Sequence, residues 1–402
     1  MKHITFDKYI NYLIIGLAFT LPTTIAGIVF FGHLIIISFL LKGNFSSALT
    51  ELKKSKIIVI LFLFLSLSLI STLWSSDKIF AFEYIKRYWY LLTIPVIYLH
   101  FNPKYTSHVF TSFLLGMLFS EILSYSIFFE LIHFNNIPSN DPSPFMNHSI
   151  YSIFLAFSSI ILLNRIFFVN HPNHKIFYSL YFLTTTSNLF LNGGRTGQII
   201  FIISLFIIIF LNFKSKSKAI IFASAMSISI LTIAYNVSPI FKERGELAYN
   251  DITQTFTDDD YSRSFGIRMS LWIMGANVFS ENPLLGTGIG DEKTGMQKYA
   301  DKYKITRYMG LPDKGYIDYH SMYVQYAVQL GIAGLILITS LIYHLFTVKF
   351  KSRIYRNLNF AFATSILITS TVSNILDTIF PMIFFTFFAA ILSAISKSER
   401  SD

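Results

Sequence analysis

The groups in this sequence that could do chemistry are mostly arginines and histidines. No cysteine occurs, which excludes disulfides, iron–sulfur clusters, thiolate zinc and a cysteine nucleophile. Arg195 stands in LNGGRTG (191–197), at the start of an apolar run. A guanidinium keeps its charge and presents a planar fork of donors that suits phosphate. At membrane depth such a group is costly and normally serves a purpose. The glycines before it let the backbone turn tightly and let a bulky anion approach. The competing reading is a side chain snorkelling to lipid headgroups.

Arg268 lies in SFGIRMSLWIMGANVFS (264–280), with Arg263 just upstream. Two arginines near a membrane face can clamp a pyrophosphate. The plainer alternative, favoured for Arg263, is a solvated helix face paired with Asp258, Asp259 and Asp260. That acidic triplet offers hard oxygen ligands but lacks the alternate spacing of a calcium loop. It reads as a plain acidic loop, and neither a metal nor a cofactor is expected. His320 opens an apolar run in DYHSMYVQYAVQLGIAG (318–334). Histidine titrates near neutrality and can take a proton from a hydroxyl, although a lone histidine is often structural. His148, in FMNHSIY, is a second candidate. Glu121 and Glu130 are ionisable groups in or beside an apolar run, either paired with the arginines or turned to the interior. GTGIG (286–290) looks like a nucleotide loop, but it follows no strand, and that reading is rejected.

The elements that must position these groups are set by composition. Of the 402 residues 53% are apolar and only 13% charged, about half the charge of an average soluble domain. Such a chain cannot clothe a globular surface in polar groups, so lipid is its main solvent. Taking about 20 apolar residues per crossing, and fewer where a span is short or buried in a bundle, the sequence reads as about twelve spans. They lie near 8–23, 25–41, 57–74, 87–101, 108–131, 148–168, 176–191, 197–212, 219–238, 320–346, 358–375 and 378–396. The fourth is short, and the break between the first two rests on Pro22 and Gly27. The first run shows no clear small-residue cleavage site and a second follows at once, so it reads as a retained span.

Charge then orients the spans. With a cytoplasmic N-terminus, the inside loops hold eighteen basic and four acidic residues, leaving fourteen basic and eighteen acidic elsewhere. This is the positive-inside pattern and predicts both termini in the cytoplasm. The net charge of +10 is therefore orientation, and no nucleic-acid partner is expected. The fold class is all-α, polytopic and membrane-embedded, in three parts: nine spans over 1–238, an outside loop over 239–319, and three spans with a cytoplasmic tail over 320–402. The loop carries ten basic and twelve acidic residues, and a loop of that length is usually functional. Within it, Ile267, Leu271, Met274 and Val278 recur at helical spacing, predicting an amphipathic helix that lies on the membrane or packs on the bundle. NPLLGTGIG (282–290) follows it, rich in turn residues.

Three segments in this order resemble the bacterial O-antigen ligase superfamily. They are an arginine after small residues at a span's outer edge, then R…W…NPLLGTGIG, then HSMYVQYAVQLGIAG opening the next span. The superfamily includes O-antigen ligases, some O-antigen polymerases and bacterial protein O-oligosaccharyltransferases. The resemblance covers the order of most of the chain, with residues 191–334 carrying it. It implies a GT-C-like fold of about twelve helices, with one large periplasmic loop between the ninth and tenth. For the ligases it implies an inner-membrane glycosyltransferase completing lipopolysaccharide, by metal-independent, inverting transfer of a glycan from undecaprenyl pyrophosphate to lipid A-core. Carried over by motif, Arg195 and Arg268 hold the donor pyrophosphate and His320 activates the acceptor hydroxyl. Arg263 and His148 are further candidates for binding substrate. Two departures stand out: Gly194-Arg195-Thr196 replaces a common Ser-Arg-Gly, and His320-Ser321 replaces a frequent His-Asn.

Rival expectations remain at this level. An O-antigen polymerase shares the donor chemistry but uses another lipid-linked glycan as acceptor. The modest length and single dominant periplasmic loop favour the ligase. A transporter or flippase for lipid-linked glycans predicts charged groups deep in several spans, and Glu121 is the main one here. A purely structural membrane protein leaves Arg195 and His320 unexplained.

Overall fold

The computed structural model describes residues 2–43, 45–291, 299 and 318–401. All regular elements among them are helical. In chain order these are α1 (Lys2–Thr20), α2 (Ile25–Lys42), α3 (Phe45–Leu52), α4 (Lys56–Ser71), α5 (Lys78–Lys86), α6 (Thr93–His100), α7 (Thr106–Phe128) and α8 (His148–Phe168). Then follow α9 (Pro172–Leu191), α10 (Arg195–Asn212), α11 (Lys216–Val237), α12 (Pro239–Thr257) and α13 (Ser264–Glu281). The chain closes with α14 (Met322–Phe346), α15 (Arg353–Val372) and α16 (Ile379–Ser401).

Each apolar run read from the sequence is helical. Among the described residues, seven helices (α2, α8, α10, α11, α14 and α16, with α7 counted from Pro103) are long and apolar enough to cross a bilayer by themselves. The α3–α4 pair, bent by 106°, passes the same test together as a broken span or re-entrant loop. The chain is a polytopic membrane protein. The turn at Leu21–Thr24 separates α1 from α2, as Pro22 suggested. The run at 87–101 departs from a single span: a 3₁₀ turn over Arg87–Leu92 precedes the eight-residue α6. Pro95 lacks the N–H that would continue a helix from the preceding turn, so it is tolerated only near a helix start.

Polar caps fix where helices begin. Asn147 accepts the Ile150 N–H at 3.0 Å at the head of α8. Ser238 does the same for Phe241 on α12 at 3.2 Å. In lipid, apolar contact gives no hydrophobic drive between helices, so close packing and buried polar pairs hold the bundle. α16 lies at its centre, with Phe384 and Phe388 packed on Phe113, Phe154, Phe157 and Phe362 from α7, α8 and α15. Asn357 donates to Asn164 and Asn212, tying α15 to α8 and α10. α2 and α11 instead expose apolar side chains such as Leu41 and Ile221, the surface that lipid solvates.

Among the described residues, the stretch read as a loop from 239 contains two helices. α13 is the predicted amphipathic helix, and it packs on the bundle: Leu271, Met274 and Val278 are buried against Tyr319 and Val328. α12 was not anticipated, because its sequence is polar and shows little apolar periodicity. Residues 292–298 and 300–317 of this stretch lie outside the described residues.

The two glycine-rich motifs interlock. Thr287 and Gly288 donate their N–H groups to the carbonyls of Val328 and Gln329, and Ile332 donates to Pro283. These bonds seat NPLLGTGIG in a break of α14 at Gly331, where φ is +64°. A Cβ on Gly331 would come within 2.4 Å of the Leu284 carbonyl oxygen. GTGIG is therefore a docking turn, tied also to α4 through the Ser71 hydroxyl.

Candidate active site

Arg195 is the first residue of α10, and the turn before it is tightly built. Asp141, in the α7–α8 loop, accepts the Gly193 N–H at 2.9 Å. Asn192 accepts the Gly194 N–H at 3.1 Å and donates to the Asn188 carbonyl. A Cβ on Gly194 would fall 2.3 Å from Ser152 Cβ on α8, so only glycine fits. The Gly-Gly before the arginine thus meets a packing demand: it lets α10 start hard against α8.

Arg268 approaches from α13. Its Nη1 donates to the Ser264 hydroxyl at 2.7 Å and to the Ser264 carbonyl at 3.1 Å. Arg195 Nη2 donates to the same hydroxyl at 3.5 Å. Two guanidiniums from separate helices therefore meet at one oxygen. Burial and the neighbouring Arg195 push the Arg268 guanidinium below its usual value, while Asp318 and Asp251 act against them. Like charges held this close are unfavourable unless an anion lies between them. The Arg268 Nε is buried with no hydrogen-bond partner among the described residues, a donor that an anion would satisfy.

Further charged groups surround the pair. Arg263 lies 3.9 Å from the buried Asp251, rather than being bridged to the Asp258–Asp260 run. His148 Nδ1 lies 2.9 Å from Asp141, which also faces Arg244 at 3.8 Å. The Asp141 carboxyl stands below its ordinary value: burial alone would raise it, but His148, the Gly193 N–H and Arg244 together outweigh burial. Arg195 and Arg244 head a cavity of about 360 Å³ whose walls include Ile199, Ile202, Leu231 and Phe241. A charged head with an apolar trough below it suits an anion carried on a lipid chain.

His320 lies two residues before the start of α14. Its Nδ1 lies 3.2 Å from Asp318 Oδ2, and its N–H donates to Asp318 Oδ1 at 2.7 Å. With Nδ1–H given to the carboxylate, Nε2 is left as the basic nitrogen. The backbone there is left-handed, with φ +50°, uncommon for any residue but glycine. Trp272, one turn along α13 from Arg268, donates its Nε1–H to the Tyr319 carbonyl at 3.0 Å. The turn bearing His320 is thus fastened to the helix bearing Arg268.

The structure gathers Arg195, Arg268 and Arg263 in one cluster, sets His148 behind the Gly193–Arg195 turn, and reaches His320 through Asp318. Glu121 lies apart, buried and accepting from Thr185 at 2.9 Å, so it faces the interior and does not pair with the arginines. Sequence reasoning missed Asp141, Arg244, Asp251, Ser264 and Asp318. The two-residue step from Asp318 to His320 and the helical spacing of Ser264 and Arg268 were legible signals. Asp141 sits in an irregular loop and had none.

The fold and this site define a polytopic membrane protein with a cluster of cations at one end of the bundle. Residues 180–339 match the family model described as O-antigen ligase, and the resemblance read from the sequence is borne out. The match supports glycosyl transfer of the O-antigen ligase or polymerase type, with lipid-linked glycan and lipid A-core type substrates implied by the family. The matched stretch holds Arg195, Arg244, Asp251, Ser264, Arg268 and His320, and excludes Asp141 and His148. No curated protein sequence matches the chain.

Proposed function

We propose that this protein is an O-antigen ligase of the bacterial inner membrane. It transfers a glycan from undecaprenyl pyrophosphate to a sugar hydroxyl of lipid A-core, on the periplasmic side. The observation that carries this reading is the convergence of Arg195 and Arg268 on the Ser264 hydroxyl, above a trough of apolar side chains. The donor pyrophosphate occupies the guanidinium cluster, and its polyprenyl chain lies along Ile199, Ile202 and Leu231. The distribution of charge between loops supports cytoplasmic termini and a cluster on the outside.

The reaction needs no activated cofactor, because pyrophosphate is already a good leaving group. The acceptor oxygen attacks the anomeric carbon of the donor sugar as the bond from that carbon to the phosphate oxygen breaks. Both electrons of that bond leave with the pyrophosphate, where Arg195 and Arg268 stabilise the developing charge. The acceptor proton passes to His320 Nε2, and Asp318 holds the ring and balances the imidazolium. One displacement inverts the configuration at the anomeric carbon.

The test is a deletion strain complemented with wild type or with Arg195→Ala, Arg268→Ala or His320→Ala, read on lipopolysaccharide gels. A ligase defect leaves core without O-chains while polymerised lipid-linked glycan accumulates. Core bearing a single repeat unit would instead mark the protein as a polymerase. Normal O-chain ladders in all three variants would sink the catalytic assignment.

A further inference from the structure

A second cationic site lies at the other end of the bundle. Ser396 on α16 donates to the Lys349 carbonyl, Glu399 accepts from Lys351, and Arg353 donates to the Leu211 carbonyl near the end of α10. α10 runs eighteen residues from Arg195 to Asn212, so this end is roughly 27 Å from the arginine cluster. Here the start of α4 and the ends of α14 and α16 border a half-open cavity of about 500 Å³, lined by Lys54, Lys56, Lys349, Lys397 and Arg400.

Glu51 is the carboxylate among the lining residues, and it is already engaged by Lys54 at 2.7 Å and Lys397 at 3.2 Å. Lys56, Lys349 and Arg400 pair with no carboxylate among the described residues. The adjoining cavity is different in kind, since its Lys42 is matched by Asp7 at 2.7 Å. A scattered positive-inside surface would spread its cations over separate loops. These five instead border one half-open cavity, and gathering like charges there favours an anion between them.

We propose that this cavity seats the phosphate headgroup of an anionic phospholipid. The helices that carry its rim also expose apolar side chains: Leu63 on α4, seven residues from Lys56, and Ile336 and Tyr343 on α14. Cations at the bundle end and apolar flanks running away from it match the two halves of a phospholipid. A soluble phosphate would use the first half alone. Basic pockets between helices are a known way for membrane proteins to hold such headgroups.

The test uses full-length protein in a neutral detergent and follows its thermal unfolding. Phosphatidylglycerol in mixed micelles is expected to raise Tm by roughly 2–4 °C, and phosphatidylcholine to leave it unchanged. The double variant K349Q/R400Q loses that shift, whereas K349R/R400K keeps it, which separates lost charge from damaged folding. Inorganic pyrophosphate giving the same charge-dependent shift as phosphatidylglycerol would overturn the lipid assignment in favour of a soluble anion. No shift with phosphatidylglycerol, or one that persists in K349Q/R400Q, would overturn the site altogether.

Discussion

Arg195 and Arg268 come from different helices and place guanidinium nitrogens 3.5 and 2.7 Å from the same oxygen, the hydroxyl of Ser264. Neither has a carboxylate within ion-pair distance among the described residues. The pair is therefore poised to receive an anion, and the proposed mechanism rests on that relationship.

Removing either guanidinium should slow transfer by about 10²–10³-fold, the usual cost of losing one donor to a developing negative charge. The double variant should fall well short of the product of the two losses, because the arginines serve one anion. The measurement is transfer from a purified lipid-linked donor under single-turnover conditions. Fully multiplicative losses would mean that the two act at separate places.

His320→Gly should separate catalysis from folding. Glycine accepts the left-handed backbone at this turn without strain, so thermal stability should hold or rise slightly. Transfer should drop by roughly 10²–10⁴-fold, and added imidazole should restore part of it. A variant that stays active without imidazole would remove His320 from the mechanism.

Asp141 should make the fold sensitive to acid. Its folded-state pKa is lowered, so its contribution is fully present above its unfolded value of about 3.9. That contribution is lost as pH falls through the folded value. The excess in Tm of wild type over Asp141→Asn should be present at about pH 5, then shrink below about pH 4. A difference that grows below about pH 4 would contradict the assignment.

Gly331→Ala should loosen the joint between NPLLGTGIG and α14. The φ of +64° and the 2.4 Å approach to the Leu284 carbonyl oxygen both oppose a side chain. A loss of more than about 1 kcal/mol is expected, visible as a lower Tm and faster proteolysis near residue 285. Gly245→Ala on α12, where a Cβ meets nothing within 4 Å, is the control and should leave Tm unchanged or slightly raised.

The apolar runs and sparse charge sufficed to call an all-helical membrane protein, because the choice of lipid or water as solvent is written in composition. Helical periodicity likewise gave α13 and its buried stripe, and the spacing of Ser264 and Arg268 is local to one helix. Arg195, Arg268 and His320 stood out as rare charged or titratable groups beside apolar runs. What no local pattern contains is which of them meet. The contact of Arg195 with Ser264 spans 69 residues and that of Asp141 with Gly193 spans 52, and both depend on how α8, α10 and α13 pack. The glycines of GTGIG read only as a turn-rich stretch, and tertiary structure made them a joint with α14, since only glycine lets two backbones approach so closely. The basic residues at the other end read as orientation alone until packing turned five of them toward one cavity. Sequence recorded each residue's solvent and its local geometry; packing at long range decided the partners.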